Sequence, residues 1–351
     1  MFPAQALAEA MLDRGWRVTL ATDDRGAHYA NGFPKAVERR TTAAATFAQG
    51  SALARLAAPF AIAAGTFQSL AAMRRDRPAV VAGFGGYPAL PAMLAAGLLR
   101  IPRLIHEQNG VLGRVNRRFA PRVEVVACGS WPTALPAGAR GLHVGNPVRG
   151  AVLAQLGAAY PTPGDAGPVG LVVIGGSQGA GFFGRAVPEA MKHLDPALRA
   201  RLRLSQQVRR EDMVRVRAAY EDLGMAPELR GFFDDLPARL AGASLVISRA
   251  GASSVADISA IGRPAILVPY PFATDDHQAA NARGLVEAGG AFMVREADLT
   301  PERLAGTLAA ILSDPEGATA MAAASRDAGR PDATEHLAAL VERLAEKGRT
   351  A

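Results

Sequence analysis

The chain has 351 residues, 49% of them hydrophobic and 20% charged, a composition that fits a soluble globular protein of two domains and excludes a disordered or fibrous one. Its one cysteine, Cys128, excludes a disulfide framework and a cysteine metal cage, and reads as a small core residue after a strand. The formal charge of +7 is uneven: residues 1–150 hold 18 Lys/Arg against 8 Asp/Glu (+10), and residues 151–351 hold 21 against 24 (−3), so the first half is expected to face something anionic.

In chain order, a helix is expected over residues 3–14 and is ended by Gly15. Strands follow at WRVTLAT, AVVAGFGGY, PRLIHEQN, VEVVACG and LHVGNPV. The opening MFPAQALAE reads as a helix start severed from the strand and glycine loop with which a doubly wound domain begins. A proline- and glycine-rich stretch, PTPGDAGPVG from Pro161, reads as an interdomain linker. A second series comprises GLVVIGGSQGA, strands near 202–206 and 229–231, LVISRAG, AILVPY and AFMVRE. The amphipathic ATEHLAALVERLAEK closes the chain. Strands alternating with helices argue for parallel α/β sheets. The expected division is 1–150, a linker at 151–168, a second domain at 169–330 and a C-terminal helix at 331–351 packing back on the first domain.

Three glycine turns follow strands: GFGGYP, IGGSQGA and SRAGASS. Such a turn lets backbone N–H groups converge, and a helix start adds partial positive charge, so each suits an anion. A polar loop holding Asp275, Gln278 and Asn281 follows the strand at 265–269, where open α/β sheets bind ligands. Together they describe a pocket for a phosphate-linked group with hydroxyls, such as a nucleotide sugar. GxxxxGK[ST] is absent, and none of these turns is a strict GxGxxG, which argues against a P-loop or dehydrogenase site.

GFGGYPALPA, HEQNGVLGRVNR, GNPVR, IGGSQGA, SRAGASSVADI and the Asp275–Asn281 loop, in this order and spacing, resemble the MurG family of bacterial N-acetylglucosaminyltransferases. The resemblance covers nearly the whole chain. It implies the GT-B fold: two Rossmann-like, doubly wound α/β domains with an interdomain cleft. It also implies an inverting glycosyltransferase, moving N-acetylglucosamine from UDP-N-acetylglucosamine to the C4 hydroxyl of undecaprenyl-diphosphoryl-N-acetylmuramoyl-pentapeptide in peptidoglycan synthesis. Other readings are a GT-B enzyme with a different acceptor and an inactive nucleotide-sugar-binding remnant. The family places a strand and GGTGGH before the helix that starts at FPA. Met1 is therefore expected to be an internal methionine read as a start, and the chain is expected to retain donor binding with lowered turnover.

The resemblance assigns donor contacts to Asn109, Arg149, Ser177, Phe233, Ala252, Ser253, Ser254, Val255, Asp257 and Gln278. Arg149 would meet the diphosphate, Ser177 a phosphate, Phe233 the uracil through its backbone, Asp257 the ribose and Gln278 the sugar hydroxyls. The family usually has glutamate where Asp257 stands. Acceptor contacts fall on Gly85, Gly86, Tyr87 and His106. Glu107 is the catalytic candidate, since the family's base histidine belongs to GGTGGH. Simpler roles stay open: Ser177 as an N-cap, Gln278 and Asn281 as loop-holding amides, and His106 as a structural histidine tying strands together.

No metal ligands or cofactors are expected, since the histidines lack metal-ligand spacing and the paired aspartates read as turns or caps. Nucleic acid is not an expected partner, because the arginines are not interleaved with aromatics. No apolar run is long enough to span a bilayer and no signal peptide is visible. The expected location is the cytoplasmic face of the bacterial inner membrane, as a peripheral protein alongside other cell-wall synthesis proteins. An apolar strip from Phe47 to Met73, bordered by Arg39, Arg40, Arg74 and Arg75, would meet the anionic surface or form a plain core helix pair.

Overall fold

The computed structural model describes residues 2–28, 32–43, 52–164 and 166–350; the side chains of 25, 28, 52–57, 176–180, 349 and 350 lie outside that description. The chain forms two compact units, Met1–Pro147 with Asp332–Ala351, and Val148–Pro331. It passes between them at Pro147–Val148, ahead of the segment 151–168 expected as a linker. That segment belongs to the second unit: Tyr160 donates to Ser244 O at 2.8 Å, and the Arg263 guanidinium donates to Ala159 O at 3.0 Å.

In the first unit α1 (Phe2–Asp13) leads to β1 (Thr19–Thr22), α2 (Asp24–His28) and β2 (Glu38–Thr41). Next come α3 (Ala52–Arg75), β3 (Val81–Gly83), α4 (Leu90–Leu98), β4 (Arg103–Glu107), α5 (Arg114–Phe119), β5 (Val125–Cys128) and β6 (Gly141–His143). All pairings are parallel, but they make two sheets, β1-β2 and β3-β4-β5-β6. The expected strands are present, and β2 is an addition. Its sequence ERRT has no apolar signal because its side chains are mostly exposed. By contrast β5 is buried at all four positions and reads as the continuous apolar run of a sheet covered on both faces. Burial pushes the Cys128 thiol up to about 11, so it is an inert core group.

The last helix, α15 (Ala333–Thr350), belongs to this unit. Its Leu337, Val341 and Leu344 join Leu7 and Met11 of α1 in one core. Arg14 bridges Glu335 and Glu342 at 2.5 Å each.

The second unit holds α6 (Gly150–Leu153), β7 (Val169–Ile174), α7 (Gly176–Lys192), α8 (Pro196–Arg201), β8 (Leu202–Gln207), α9 (Met213–Glu221) and β9 (Glu228–Arg230). It continues through α10 (Leu236–Ala241), β10 (Leu245–Ser248), α11 (Ala252–Ile261), β11 (Ala265–Leu267), α12 (His277–Glu287), β12 (Ala291–Met293), α13 (Pro301–Leu312) and α14 (Pro315–Ala328). Its six parallel strands run β12-β11-β10-β7-β8-β9, the doubly wound order with its switch point between β7 and β10.

Local chemistry sets the helix ends. Asp195, Thr300 and Asp314 each cap a helix through a side-chain oxygen with proline following at the first position. Gly262 ends α11 at φ 75°, the left-handed conformation that glycine adopts without strain. Phe183, Val187, Ala190 and Met191 form the buried stripe of α7 at helical spacing. Arg263 is fully buried, and its guanidinium donates to the carbonyls of Leu240, Ile261 and Gly262, tying the ends of α10 and α11 together. Burial lowers its pKa.

Candidate functional site

In the second unit the C-terminal ends of β7 and β10 lie side by side, with Ile174 opposite Ser248. The chain leaves β7 into α7 and β10 into α11. The N-caps are Gly175 and Gly251, so neither cap residue has a side-chain oxygen to satisfy the first-turn N–H groups of its helix. Two helices of 17 and 10 residues thus direct their positive ends at the switch point, an arrangement suited to a diphosphate. Ala252, Ser253, Ser254 and Val255 form the first turn of α11. Ser177 lies in the first turn of α7, but its side chain is outside the described residues.

Neighbouring side chains hold the loops in place. Asn281 on α12 donates from Nδ2 to Ala250 O at 3.1 Å, fixing the turn before α11. Gln278 accepts from Tyr270 N at 2.9 Å through Oε1. Both amides therefore do hold loops, and the Nε2 donors of Gln278, with the second lone pair of its Oε1, are what it can offer a ligand hydroxyl. Asp275 and Asp276 occupy left-handed conformations at φ 53° and 51°, strained for residues other than glycine, and Asp276 accepts from Arg295 at 2.7 Å.

The structure brings together two residues expected to act separately. Arg149, at the N-cap of α6, donates from Nη2 to Asp257 Oδ2 at 3.1 Å. Asp257 is 7% exposed, and burial raises its carboxyl above the ordinary range against the opposing pull of Arg149. The cationic fork assigned to a diphosphate is engaged on a carboxylate. Phe233 is buried beneath the Arg239 guanidinium, which stands 4.4 Å from its ring centroid, so its side chain anchors the core.

Arg249 was not anticipated. It follows β10 and is buried, donating from Nη1 to Val268 O and Pro269 O at 3.2 Å each and pairing with Glu296. Its guanidinium also lies over Phe182, Phe183 and Tyr270. It clamps the loops after β10 and β11 beneath the switch point. An arginine between a buried strand and a glycine turn was the available signal.

In the first unit the expected residues gather at the C-terminal ends of β3 and β4. Glu107 is buried. Its Oε1 accepts from Asn109 N at 3.1 Å and Asn109 Nδ2 at 3.3 Å, and its Oε2 from Gly113 N at 3.0 Å and Asn116 Nδ2 at 2.8 Å. With four donors on two oxygens, this carboxylate has the geometry of a loop organiser rather than of a base open to a substrate. Gly85 and Gly86 turn at φ 80° and 76°, and a Cβ on Gly85 would come within 3.0 Å of Asn116 Nδ2, so this turn packs on the same network. Tyr87 follows in a short 3-10 turn.

His106 is 2% exposed and its Nε2 lies 3.2 Å from Gly145 O. Burial holds its pKa below the ordinary range. It ties β4 to the loop after β6, so the expectation of direct acceptor contact gives way to the structural role. Sequence reasoning also missed Asn146, which donates to Gln108 O at 2.9 Å and packs where any side chain on Gly129 would collide.

Among the described residues no three His, Cys, Asp or Glu side chains gather as a metal site, and no helix is long and apolar enough to cross a membrane. On α3, Phe60 and Phe67 stand 78% and 71% exposed, seven residues apart on one face, and Leu98 of α4 is also exposed. Ile62, Leu70 and Met73 are half-buried, while Phe47 and the side chains of Leu53 and Leu56 lie outside the described residues.

Residues 1–128 match the glycosyltransferase family 28 N-terminal domain and residues 170–337 its C-terminal domain. A protein of Chelativorans sp. (strain BNC1), named UDP-N-acetylglucosamine--N-acetylmuramyl-(pentapeptide) pyrophosphoryl-undecaprenol N-acetylglucosamine transferase, is 48% identical over 98% of this chain and 92% of its own length. A protein of the same name from Methylobacterium sp. (strain 4-46) is 50% identical over 97% of this chain and 92% of its own. The crystal structure of Acinetobacter baumannii MurG superposes with a TM-score of 0.80 at 29% identity, covering 97% of this chain and 95% of that one. The calicheamicin glycosyltransferase CalG4 shares the fold alone, with a TM-score of 0.64 at 17% identity over 99% and 95% of the two chains.

Proposed function

This chain belongs to the MurG family of glycosyltransferase family 28, and we propose that it transfers N-acetylglucosamine from UDP-N-acetylglucosamine to undecaprenyl-diphosphoryl-N-acetylmuramoyl-pentapeptide in peptidoglycan synthesis. The observation that carries the donor half is the pair of helix starts, α7 and α11, meeting at the β7–β10 switch point without capping side chains. As the sugar leaves, negative charge grows on the β-phosphate of UDP. Preoriented N–H groups at those helix starts stabilise that charge without reorganising. Asp257 faces the ribose hydroxyls, and the Nε2 donors of Gln278 face the sugar. Attack by the C4 hydroxyl of the muramoyl sugar inverts the anomeric carbon and yields a β-1,4 linkage, with the proton passing to a base. In the first unit, Glu107 positions the 108–116 loop through its four donors.

The acceptor is a membrane lipid, so the protein works as a peripheral protein at the anionic inner surface. Exposed Phe60 and Phe67 on α3, with Arg74 and Arg75 in its last turn, support this reading. Product analysis tests the reaction: the lipid acceptor and UDP-N-acetylglucosamine are expected to give a β-linked disaccharide and UDP in equal amounts. Release of free N-acetylglucosamine alone, or an α-linked product, contradicts it.

A further inference from the structure

With the diphosphate at the β7–β10 switch point and the sugar at Gln278, after β11, the nucleoside extends the other way along β12-β11-β10-β7-β8-β9, toward the ends of β8 and β9. Asp257, assigned to the ribose, agrees with that direction. Val152 of α6, Leu240 of α10 and Ile258 of α11 share one core, so Asp257 and its partner Arg149 stand beside α10. Residues 231–235 join β9 to α10 at the C-terminal end of the sheet, where the base then falls.

Arg239 of α10 holds that loop. It donates from Nη1 and Nη2 to the two oxygens of Glu228 on β9, at 2.6 and 3.0 Å, and from Nη1 to Ser205 Oγ on β8 at 2.9 Å. Its Nε donates to Asp235 Oδ1 at 2.7 Å, and its guanidinium covers the Phe233 ring at 4.4 Å from the centroid. The side chain is 18% exposed, and its hydrogen bonds keep the carboxyls of Glu228 and Asp235 below the ordinary range. One planar group thus ties the end of the loop and its buried ring to two strands.

We propose, resting on the donor reading above, that Arg239 is the positioning residue of base recognition: its fork fixes the 231–235 loop so that peptide groups of that loop select uracil over cytosine. Uracil presents an N–H and a carbonyl where cytosine presents a lone pair and an amino group. A peptide N–H and C=O fixed in place match one pattern and are left unpaired against the other, which is how hydrogen-bonded sites discriminate. A loop free to shift would serve both bases. Arginine rather than lysine suits the task, because a planar fork reaches Ser205, Glu228 and Asp235 at once while lying over a ring.

The test is calorimetry on the 351-residue chain with UDP, CDP and inorganic pyrophosphate as probes. The parent should prefer UDP to CDP. In Arg239→Lys and Arg239→Met the affinity for UDP should fall by about tenfold, the size of one or two neutral hydrogen bonds. CDP and pyrophosphate should bind nearly as to the parent, so the preference for UDP collapses. Glu228→Gln keeps the arginine but weakens its hold, and should give a smaller loss of preference in the same direction. It also serves where the Arg239 variants fold poorly. A UDP preference that survives in both Arg239 variants, or in Glu228→Gln if only that variant folds, overturns the role of Arg239 and leaves the donor reading standing. Equal losses for all three probes overturn it too, since a merely structural arginine would act on every ligand alike. A parent that binds neither UDP nor pyrophosphate removes the donor reading and this inference together.

Discussion

Arg149 donates to Asp257 across 3.1 Å, joining the start of α6 to the second turn of α11. The two residues are 108 positions apart, and the carboxylate is far more buried than the guanidinium. The fork therefore partly neutralises a buried charge in the unliganded protein. A ribose approaching Asp257 meets a carboxylate already oriented by a cation.

Replacing Asp257 with Asn should keep the fold and weaken UDP binding. A hydrogen bond to a charged group is worth about 1.5–3 kcal/mol, so the loss is roughly ten- to hundredfold in Kd. Preference for UDP over 2′-deoxy-UDP should shrink with it. Calorimetry decides this: a destabilised variant with unchanged UDP affinity would make the bridge purely structural.

The same carboxyl sets a pH dependence. Its folded pKa is raised by burial, so the folded protein holds this proton more tightly than the unfolded chain. Its contribution to stability therefore falls as pH rises from the unfolded value near 3.9 through the folded one. Across that window the stability from urea unfolding should fall less, or rise more, with pH in Asp257→Asn than in the parent. An unchanged slope would assign the effect elsewhere.

His106 acts in the opposite sense. Its folded pKa is depressed, so the stability tied to its neutral form is present above about pH 6.5 and is lost as pH falls toward the folded value. His106→Gln should remove that part of the acid sensitivity, which sets in below about pH 6.5. Identical acid unfolding in parent and variant would refute it.

Gln278 allows its two roles to be separated. Gln278→Glu keeps an acceptor for Tyr270 N but loses the Nε2 donors, whereas Gln278→Ala loses both. The Glu variant should retain the parent melting temperature and bind UDP-N-acetylglucosamine more weakly by about 0.5–1.5 kcal/mol for each neutral bond lost. If Gln278→Glu binds the donor as the parent does, the residue only holds the loop.

Phe60→Ser with Phe67→Ser should lower the salt-resistant part of binding to vesicles containing anionic lipid. The salt-sensitive part should persist, because screening over about 8 Å acts on the arginines alone. Both rings are largely exposed, so the melting temperature should stay within a few degrees. A large fall in melting temperature, or unchanged vesicle binding, would rule this face out.

The six-stranded sheet of the second unit was legible because strands such as LVIS are buried at every position and followed by glycine turns. The edge strand ERRT was not, since exposed side chains carry no apolar pattern. Glycine turns marked both candidate sites, but what orders them did not show in sequence. The four donors on Glu107, the Arg249 clamp and the Arg149–Asp257 pair depend on partners brought together by the fold.

The most direct test is the position of UDP-N-acetylglucosamine in a crystal of the complex. Its diphosphate should lie within hydrogen-bond distance of the first-turn N–H groups of α7 and α11, with the ribose at Asp257 and the sugar at Gln278. A nucleotide bound away from the β7–β10 switch point would contradict the donor site proposed here.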